Sequence, residues 1–303
     1  MNPRCRRPDL RRSVLFVAGA DELAQANAIA AQPDVLVQDL EDFTPRDRKV
    51  AARRLSASLA ERARASGMLF AVRVNPLDDG GCDDLAAVVA ARTPIVMLPK
   101  AASGQQIAAL DDEIARREAD HAMARGAIEI VPNVETAAGL VELRGIVRAS
   151  ARVASCLLAT EDLAADLCAE RGPDADELAY ARSRFLLEAR ALGVEPIDAP
   201  YTYSDAEGCE RDARRSRRLG YRSKCAVTAA QVVVLHRVFT PPADEVAAAR
   251  RIVDAFEAAR AQGIDRPLVD GRWIEPPAYR NAQRLLERAS ALAAAVSVTA
   301  PRN

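Results

Sequence analysis

Two carboxylates in this chain each follow an apolar run: Glu135 comes directly after residues 128–134, and Asp162 soon after residues 154–159. If these runs are neighbouring strands, the two side chains end on adjacent staves and make a hard-oxygen site. Mg²⁺ is commonly held by one or two carboxylates together with waters and substrate oxygens. Softer metals are poorly served. The only histidines, His121 and His236, fall in helix-like segments where surface or packing roles are expected, and no cysteines form a CxxC pair. Arg73 closes another apolar run, where a bare guanidinium is costly. Its planar fork suits a carboxylate or an enolate-type oxygen, or else an internal ion pair with Glu41 or Asp42. Nucleophile signatures are missing: there is no G-x-S-x-G and no Ser or Cys beside a His. A Schiff-base role for Lys100 or Lys224 ranks below the metal reading, because so many acids share the same strand ends. Thr160 and Asp162 have a competing structural reading as helix caps.

These residues need elements to position them. Short apolar runs at residues 14–18, 35–39, 69–74, 95–99, 128–134, 154–159, 195–199 and 223–227 alternate with segments of helical period, such as 21–31, 45–65, 105–124 and 177–192. Continuous apolar runs of this length are what buried parallel strands look like. Eight strand–helix units predict an α/β fold, a closed TIM (β/α)8 barrel, and the absence of G-x-G-x-x-G argues against a dinucleotide fold. Active sites of such barrels lie at the carboxyl ends of the strands. There the sequence places Asp39-Leu40-Glu41-Asp42, Arg73-Val74-Asn75-Pro76, Pro99-Lys100, Asn133-Val134-Glu135 and Thr160-Glu161-Asp162, with Asp198 on strand seven and Lys224 on strand eight. The barrel is expected over residues 11–240. A C-terminal helical extension over 241–303 follows, broken at Pro241-Pro242 and Pro276-Pro277, and reads as a lid or an oligomerisation arm.

Composition narrows the function classes. Acids and bases nearly cancel, 43 against 42, so no basic stripe points to nucleic acid. The arginine-rich start from Arg4 to Arg12 precedes only a short apolar stretch, too short for a leader or a spanning helix, and no membrane association is expected. Six scattered cysteines read as reduced, and the location as cytoplasmic. The basic residues are almost all Arg. Of the three lysines, Lys100 and Lys224 fall at strand ends, where a compact ammonium has a use, and Lys49 lies on a polar helix and reads as incidental.

The motifs at these strand ends resemble the β-subunit of citrate lyase and the malyl-CoA and citramalyl-CoA lyases of the HpcH/HpaI aldolase superfamily. The matching pieces, in family order, are Arg11-Arg12-Ser13-Val14-Leu15-Phe16-Val17, Asp39-Leu40-Glu41-Asp42, Arg73-Val74-Asn75, Leu98-Pro99-Lys100, Val134-Glu135-Thr136-Ala137-Ala138-Gly139, Thr160-Glu161-Asp162-Leu163-Ala164-Ala165-Asp166-Leu167 and Glu177-Leu178-Ala179-Tyr180-Ala181-Arg182-Ser183. The resemblance implies a TIM-type barrel, a homo-oligomer, and Mg²⁺ held by Glu135 and Asp162. It implies that Arg73 grips the oxoacid or acyl oxygens, with Arg12, Lys100 and Asp39 joining it in substrate binding. Asp39 and Glu41 would orient metal waters or Arg73, and Asp42 or a water would act as base. The implied substrate is a small-molecule 3-hydroxyacyl thioester of CoA or acyl-carrier protein, cleaved to an acyl thioester and an oxoacid.

The chain departs from the family pattern at two places. Ala18-Gly19 stands where the family has Pro-Gly, and Val227-Thr228-Ala229-Ala230-Gln231 keeps only the Gln of a His-Pro or Asn-Pro segment near the pantetheine arm. The metal and oxoacid end is therefore intact and the thioester end altered. Two alternatives follow: a thioester hydrolase on the same scaffold, and a catalytically altered barrel serving as a subunit or binding module.

Overall fold

The structure is a computed structural model that describes residues 7–299, with side-chain surroundings to residue 295. Cys5 and the first arginines of the basic run, Arg4 and Arg6, lie outside the described residues.

Eight strands carry the fold: β1 (Ser13–Ala18), β2 (Val35–Asp39), β3 (Leu69–Arg73), β4 (Ile95–Leu98), β5 (Glu129–Val134), β6 (Ser155–Leu158), β7 (Glu195–Asp198) and β8 (Ser223–Ala226). They pair in parallel in chain order, and β8 closes on β1. The helices between them are α1 (Glu22–Ala30), α2 (Lys49–Ala65), α3 (Gly81–Ala90), α4 (Gly104–Asp120), α5 (Ala137–Val141), α6 (Leu143–Arg148), α7 (Thr160–Asp166), α8 (Ala179–Leu192) and α9 (Ala206–Leu219), with α10 (Ala229–Phe239) after the last strand. This is the (β/α)8 barrel that the alternation predicts. Every residue of β2, β3 and β4 is buried. One face fills the barrel and the other packs under the helices, which is why the strands read as unbroken apolar runs.

Alternate residues point inward. Val14, Val35, Val37, Leu69, Ala71, Ile95, Met97, Val131, Leu157, Ile197 and Cys225 form one buried interior cluster. The next inward positions toward the carboxyl ends are Asp39, Arg73, Asn133 and Glu135, so polar groups replace apolar ones as the barrel opens.

Two of the longer helices differ at their ends from the periodicity. α2 starts at Lys49, after a 3₁₀ turn at Arg46–Arg48. α4 opens on a Ser103–Gln106 capping box and ends at Asp120, where Ala122 has φ 51° and cannot continue the helix. The segment between β5 and β6 is broken into α5 and α6.

The amino ends of the strands are tied by ion pairs. Arg11 makes a two-pronged contact with Glu129 at 2.7 and 2.9 Å, and buried Arg152 joins Glu118 and Asp111. His236, on α10, contacts Ser13 Oγ at 2.8 Å, a packing role at this end of the barrel.

The chain divides into two compact units at Val238/Phe239. In the second, α11 (Ala243–Ala261) and α12 (Pro276–Thr299) form a hairpin, with a two-stranded antiparallel ribbon, β9 (Leu268–Val269) and β10 (Arg272–Trp273), between them. Its small core is Ala249, Val253 and Ala282, capped by Phe256 stacked on Tyr279 at 4.4 Å. Pro276 starts α12, a position where its missing N–H costs nothing. No described helix is long and apolar enough to cross a membrane.

Candidate active site

Arg73 is the fixed point of the mouth. It ends β3 in register with Asp39 at the end of β2. Its Nε donates to Asp39 Oδ1 at 3.0 Å, its Nη2 donates to Asp39 Oδ2, and its Nη1 lies 3.2 Å from Glu41 Oε2. Phe16 and Phe43 flank the guanidinium, with centroids 5.3 and 5.4 Å from its central carbon. Burial disfavours the charge, but Asp39, Glu41 and Glu135 outweigh it and hold Arg73 firmly protonated. The ion pair expected with Glu41 or Asp42 is thus made with Asp39 and Glu41, while Asp42 goes to Lys100.

Asp39 itself is fully buried. Besides Arg73, its carboxylate accepts the amides of Glu41 at 2.8 Å and Phe43 at 3.3 Å. Asp39 thus positions Arg73 and the loop after β2, the orienting role that the resemblance implied, and both its oxygens are engaged in place of the substrate contact also expected of it. Gly19 explains how that loop packs, since a Cβ there would sit 2.6 Å from the Asp39 carbonyl. Thr44 locks the same turn, donating to Asp39 O at 2.6 Å and accepting from the Gly19 amide at 2.8 Å.

Lys100 follows β4 with φ 50°, a left-handed backbone that turns its side chain toward the loop after β2. Its ammonium donates to Glu41 Oε1 at 2.6 Å and Asp42 Oδ2 at 3.4 Å. The side chain is 44% exposed, so it stands on the rim within reach of a ligand. Glu41 bridges Arg73 and Lys100. Burial raises its affinity for a proton above the ordinary value, and Arg73 and Lys100 only partly offset this.

Glu135 follows β5 and is fully buried, and neither of its carboxylate oxygens has a hydrogen-bond partner. Burial, the nearby Asp162 and Glu41 push its pKa up to about 7, against the pull of Arg73 and of the nearby Lys100 backbone N–H. Asp162 lies in the first turn of α7, after β6, whose Leu158 pairs with Val134. It is exposed, and among the described residues it makes no hydrogen bond or ion pair. The capping alternative fails for both Thr160 and Asp162: the N-cap of α7 is Ala159, with no side-chain bond. Glu135 is aimed by its own loop, in which Thr136 caps α5 and Gly139 lets that helix approach the Ala101 carbonyl, 2.5 Å from where a Cβ would be.

A buried carboxylate with two orphaned oxygens, beside a second free carboxylate, fits a divalent cation. No group of three or more His, Cys, Asp or Glu ligands exists among the described residues. The protein would thus supply two oxygens' worth of ligands and leave the rest to water and substrate. The mouth also holds a pocket of about 70 Å³ lined by Phe16, Phe43, Arg73, Asn133, Leu157, Ala159, Pro200, Cys225 and Val227.

Three expected groups lie elsewhere. Arg12 precedes β1, at the amino end of the barrel, where its Nε and Nη2 hold Asp34 at 2.9 and 3.0 Å. The substrate-binding assignment of Arg12 is corrected for that reason: it stands at the opposite end from Arg73. Lys224 on β8 is buried, with its ammonium on Asp198 at 2.8 Å and Asp212 at 2.6 Å. Arg182 completes this closed network, and the two cations hold the Asp198 carboxyl well below the usual range despite its complete burial. It is a structural brace and leaves no free amine for a Schiff base. Lys49 is not incidental: it donates to Asn75 Oδ1, whose amide reaches Leu40 O at 2.8 Å and Asp84 at 2.6 Å. Gln231 accepts the Val227 amide at 2.9 Å and donates to Tyr201 O at 2.8 Å, tying the β7 and β8 loops. Sequence reasoning assigned no role to Phe16, Phe43 or Asn133. Phe16 belongs to the motif at residues 11–17, but nothing in one dimension shows that two rings clasp Arg73.

Fold and mouth together define a class: a (β/α)8 barrel that presents paired carboxylates and a clamped guanidinium at the carboxyl ends of its strands. The description of the HpcH/HpaI aldolase/citrate lyase family matches residues 12–229, and the chain belongs to that family. It is 33% identical to the citrate lyase subunit beta of Haemophilus influenzae over 92% of this chain and 97% of that one. It is 30% identical to the (3S)-malyl-CoA thioesterase of Cereibacter sphaeroides strain ATCC 17025 over 93% and 96%. Among solved structures it resembles CitE of Mycobacterium tuberculosis in complex with magnesium, acetoacetate and coenzyme A, with a TM-score of 0.74 and 28% identity over 92% and 97%.

Proposed function

We propose that this chain is a Mg²⁺-dependent carbon–carbon lyase that cleaves a 3-hydroxyacyl thioester, of citryl, malyl or citramalyl type, into an acyl thioester and an oxoacid. The observation that carries the reading is the pair of unpartnered carboxylates, Glu135 and Asp162, at the mouth that Arg73 faces. Glu135 and Asp162 would hold the cation. Bound there, Mg²⁺ supplies positive charge where negative charge develops on the oxoacid's carbonyl oxygen. Arg73, its geometry set by Asp39 and two aromatic rings, presents its remaining N–H groups to an anionic oxygen of the substrate. Asp42 would take the hydroxyl proton as the bond between the carbinol carbon and the thioester's α-carbon breaks. The bonding electrons pass to the thioester as an enolate, and a proton returned to its α-carbon completes the acyl thioester. Lys100 steadies Glu41 and Asp42 at the rim, and Glu41 bridges it to Arg73.

Support for a CoA thioester comes from the coenzyme A in the related CitE complex. An acyl-carrier protein is the alternative carrier. Hydrolysis is a second reading, favoured by the resemblance to a malyl-CoA thioesterase. The proposal includes a homo-oligomer, a cytoplasmic location in keeping with the free cysteines among the described residues, and a lid or assembly role for residues 241–303.

Incubation with Mg²⁺ and malyl-, citramalyl- or citryl-CoA separates the readings. A lyase releases glyoxylate, pyruvate or oxaloacetate, whereas a hydrolase releases free CoA and the intact hydroxy acid. Calorimetry of Glu135→Gln with Asp162→Asn should show Mg²⁺ binding abolished with the melting transition retained. Unchanged metal binding in that double variant sinks the site.

A further inference from the structure

Asn133 is 1% exposed, and both its amide nitrogen and its amide oxygen are buried without a partner. Such a group forfeits its hydration for nothing, and natural cores retain few of them. It sits on β5 two residues before Glu135, on the same inward face, one layer deeper in the barrel. It also lines the pocket of about 70 Å³ at the mouth, where its neighbours are Phe16, Phe43, Leu157, Ala159, Pro200, Cys225 and Val227. Arg73 and Asn133 are the only polar side chains of that lining. Arg73 already has its Nε and Nη2 on Asp39 and its Nη1 near Glu41. Beyond the N–H groups that Arg73 keeps for an anionic oxygen, the polar recognition capacity of the pocket is the Asn133 amide, one donor group and one acceptor on an otherwise apolar surface.

We propose that Asn133 is a specificity-determining residue: it reads an oxygen-bearing arm on the carbinol carbon of the substrate, and thus selects thioesters whose oxoacid half is larger and more polar than pyruvate. The inference rests on the lyase reading for the identity of the ligand, and on the pocket alone for the amide. The pocket has room for an arm of a few heavy atoms, such as carboxymethyl or hydroxymethyl. A carboxymethyl arm would accept from Nδ2. A hydroxymethyl arm would accept from Nδ2 and also donate to Oδ1. A methyl group or hydrogen leaves the amide buried and unpaired, and a site built to hydrogen-bond a group rejects the analogue that lacks it far better than an apolar pocket sorts by size.

Calorimetry with Mg²⁺-loaded protein and oxaloacetate, hydroxypyruvate or pyruvate tests this without turnover. The wild type should bind at least one of the first two on the order of 10-fold or more tighter than pyruvate, and which one it prefers identifies the arm. Asn133→Leu should bring that preference to within about threefold, with an unchanged or raised melting temperature because an orphaned amide is gone. Asn133→Ala, which cannot overfill the site, should do the same. Equal binding of pyruvate and the polar oxoacids by the wild type overturns the proposal, as does a preference that survives both variants. Turnover of citryl-CoA against citramalyl-CoA is the second readout: Asn133→Leu should cut kcat/KM for the first and spare the second, and an equal loss on both marks a merely structural role. If no thioester is cleaved but the binding preference disappears in the variants, the lyase reading fails and the role of Asn133 stands.

Discussion

Glu135 combines complete burial with the absence of any hydrogen-bond partner, and its proton affinity follows from that environment. In the metal-free folded chain it keeps its proton up to about pH 7, and in the unfolded chain only to its ordinary 4.5. The folded state therefore binds the extra proton between these values, so Glu135's contribution to stability is full below about pH 4.5 and is lost as pH rises through 7. At roughly 1.4 kcal/mol per unit this is on the order of 3 kcal/mol. Chelated protein with Glu135→Gln should melt higher than chelated wild type at pH 8 and alike at pH 4.5; no gain at pH 8 would refute the burial argument. Since Mg²⁺ competes with that proton, its affinity should fall as pH drops from 8 to 6. Arg73 makes a complementary prediction. Arg73→Lys keeps the charge but loses the fork on Asp39 and the stacking between Phe16 and Phe43. We expect kcat/KM to fall about 100-fold in steady-state assays, by the scale of losing an oriented donor to a developing anion.

Between elements, the strand ends divide into two polar systems with opposite purposes. The ends of β2 to β6 leave carboxylates and cations facing the mouth, whereas β7 and β8 turn theirs outward, under α8 and α9. In that second system Lys224 and Arg182 satisfy Asp198 and Asp212 in a region with almost no solvent. Lys224→Met removes one cation and leaves Asp198 to Arg182 alone, a loss of about 3 kcal/mol or more by the cost of breaking a buried pair. A clear fall in the denaturant midpoint with Mg²⁺ affinity unchanged is the expected result; lost metal binding would tie this network to the site. The expected strands match the observed ones to within a residue at each end, because eight runs buried on both faces leave a strong mark. Helix ends were less legible where a side chain or a positive φ, as at Ala122, stops the helix without a Gly or Pro to announce it.

For the whole molecule, the barrel and the unit that begins at Phe239 each have their own core. In the second, Leu268 and Trp273 pair across the β-ribbon and both are largely exposed. Sedimentation of the full chain should give a mass several times that of one chain. A monomer at micromolar concentration would remove the homo-oligomer from the proposal. What the sequence alone determined was the closed barrel, the end of it that carries chemistry, and the carboxylates and guanidinium that reach that end, because a period of two assigns each strand residue to a face and the last polar residue of a run marks the rim. What only the tertiary structure decided was who meets whom. Asp42 goes to Lys100 and not to Arg73, Arg12 stands at the far end on Asp34, Lys224 is sealed in a brace, and Asn133 is left without a partner. The reason is physical: ion pairs and orphaned groups are settled over a few ångströms between residues far apart along the chain, and no local pattern records those distances.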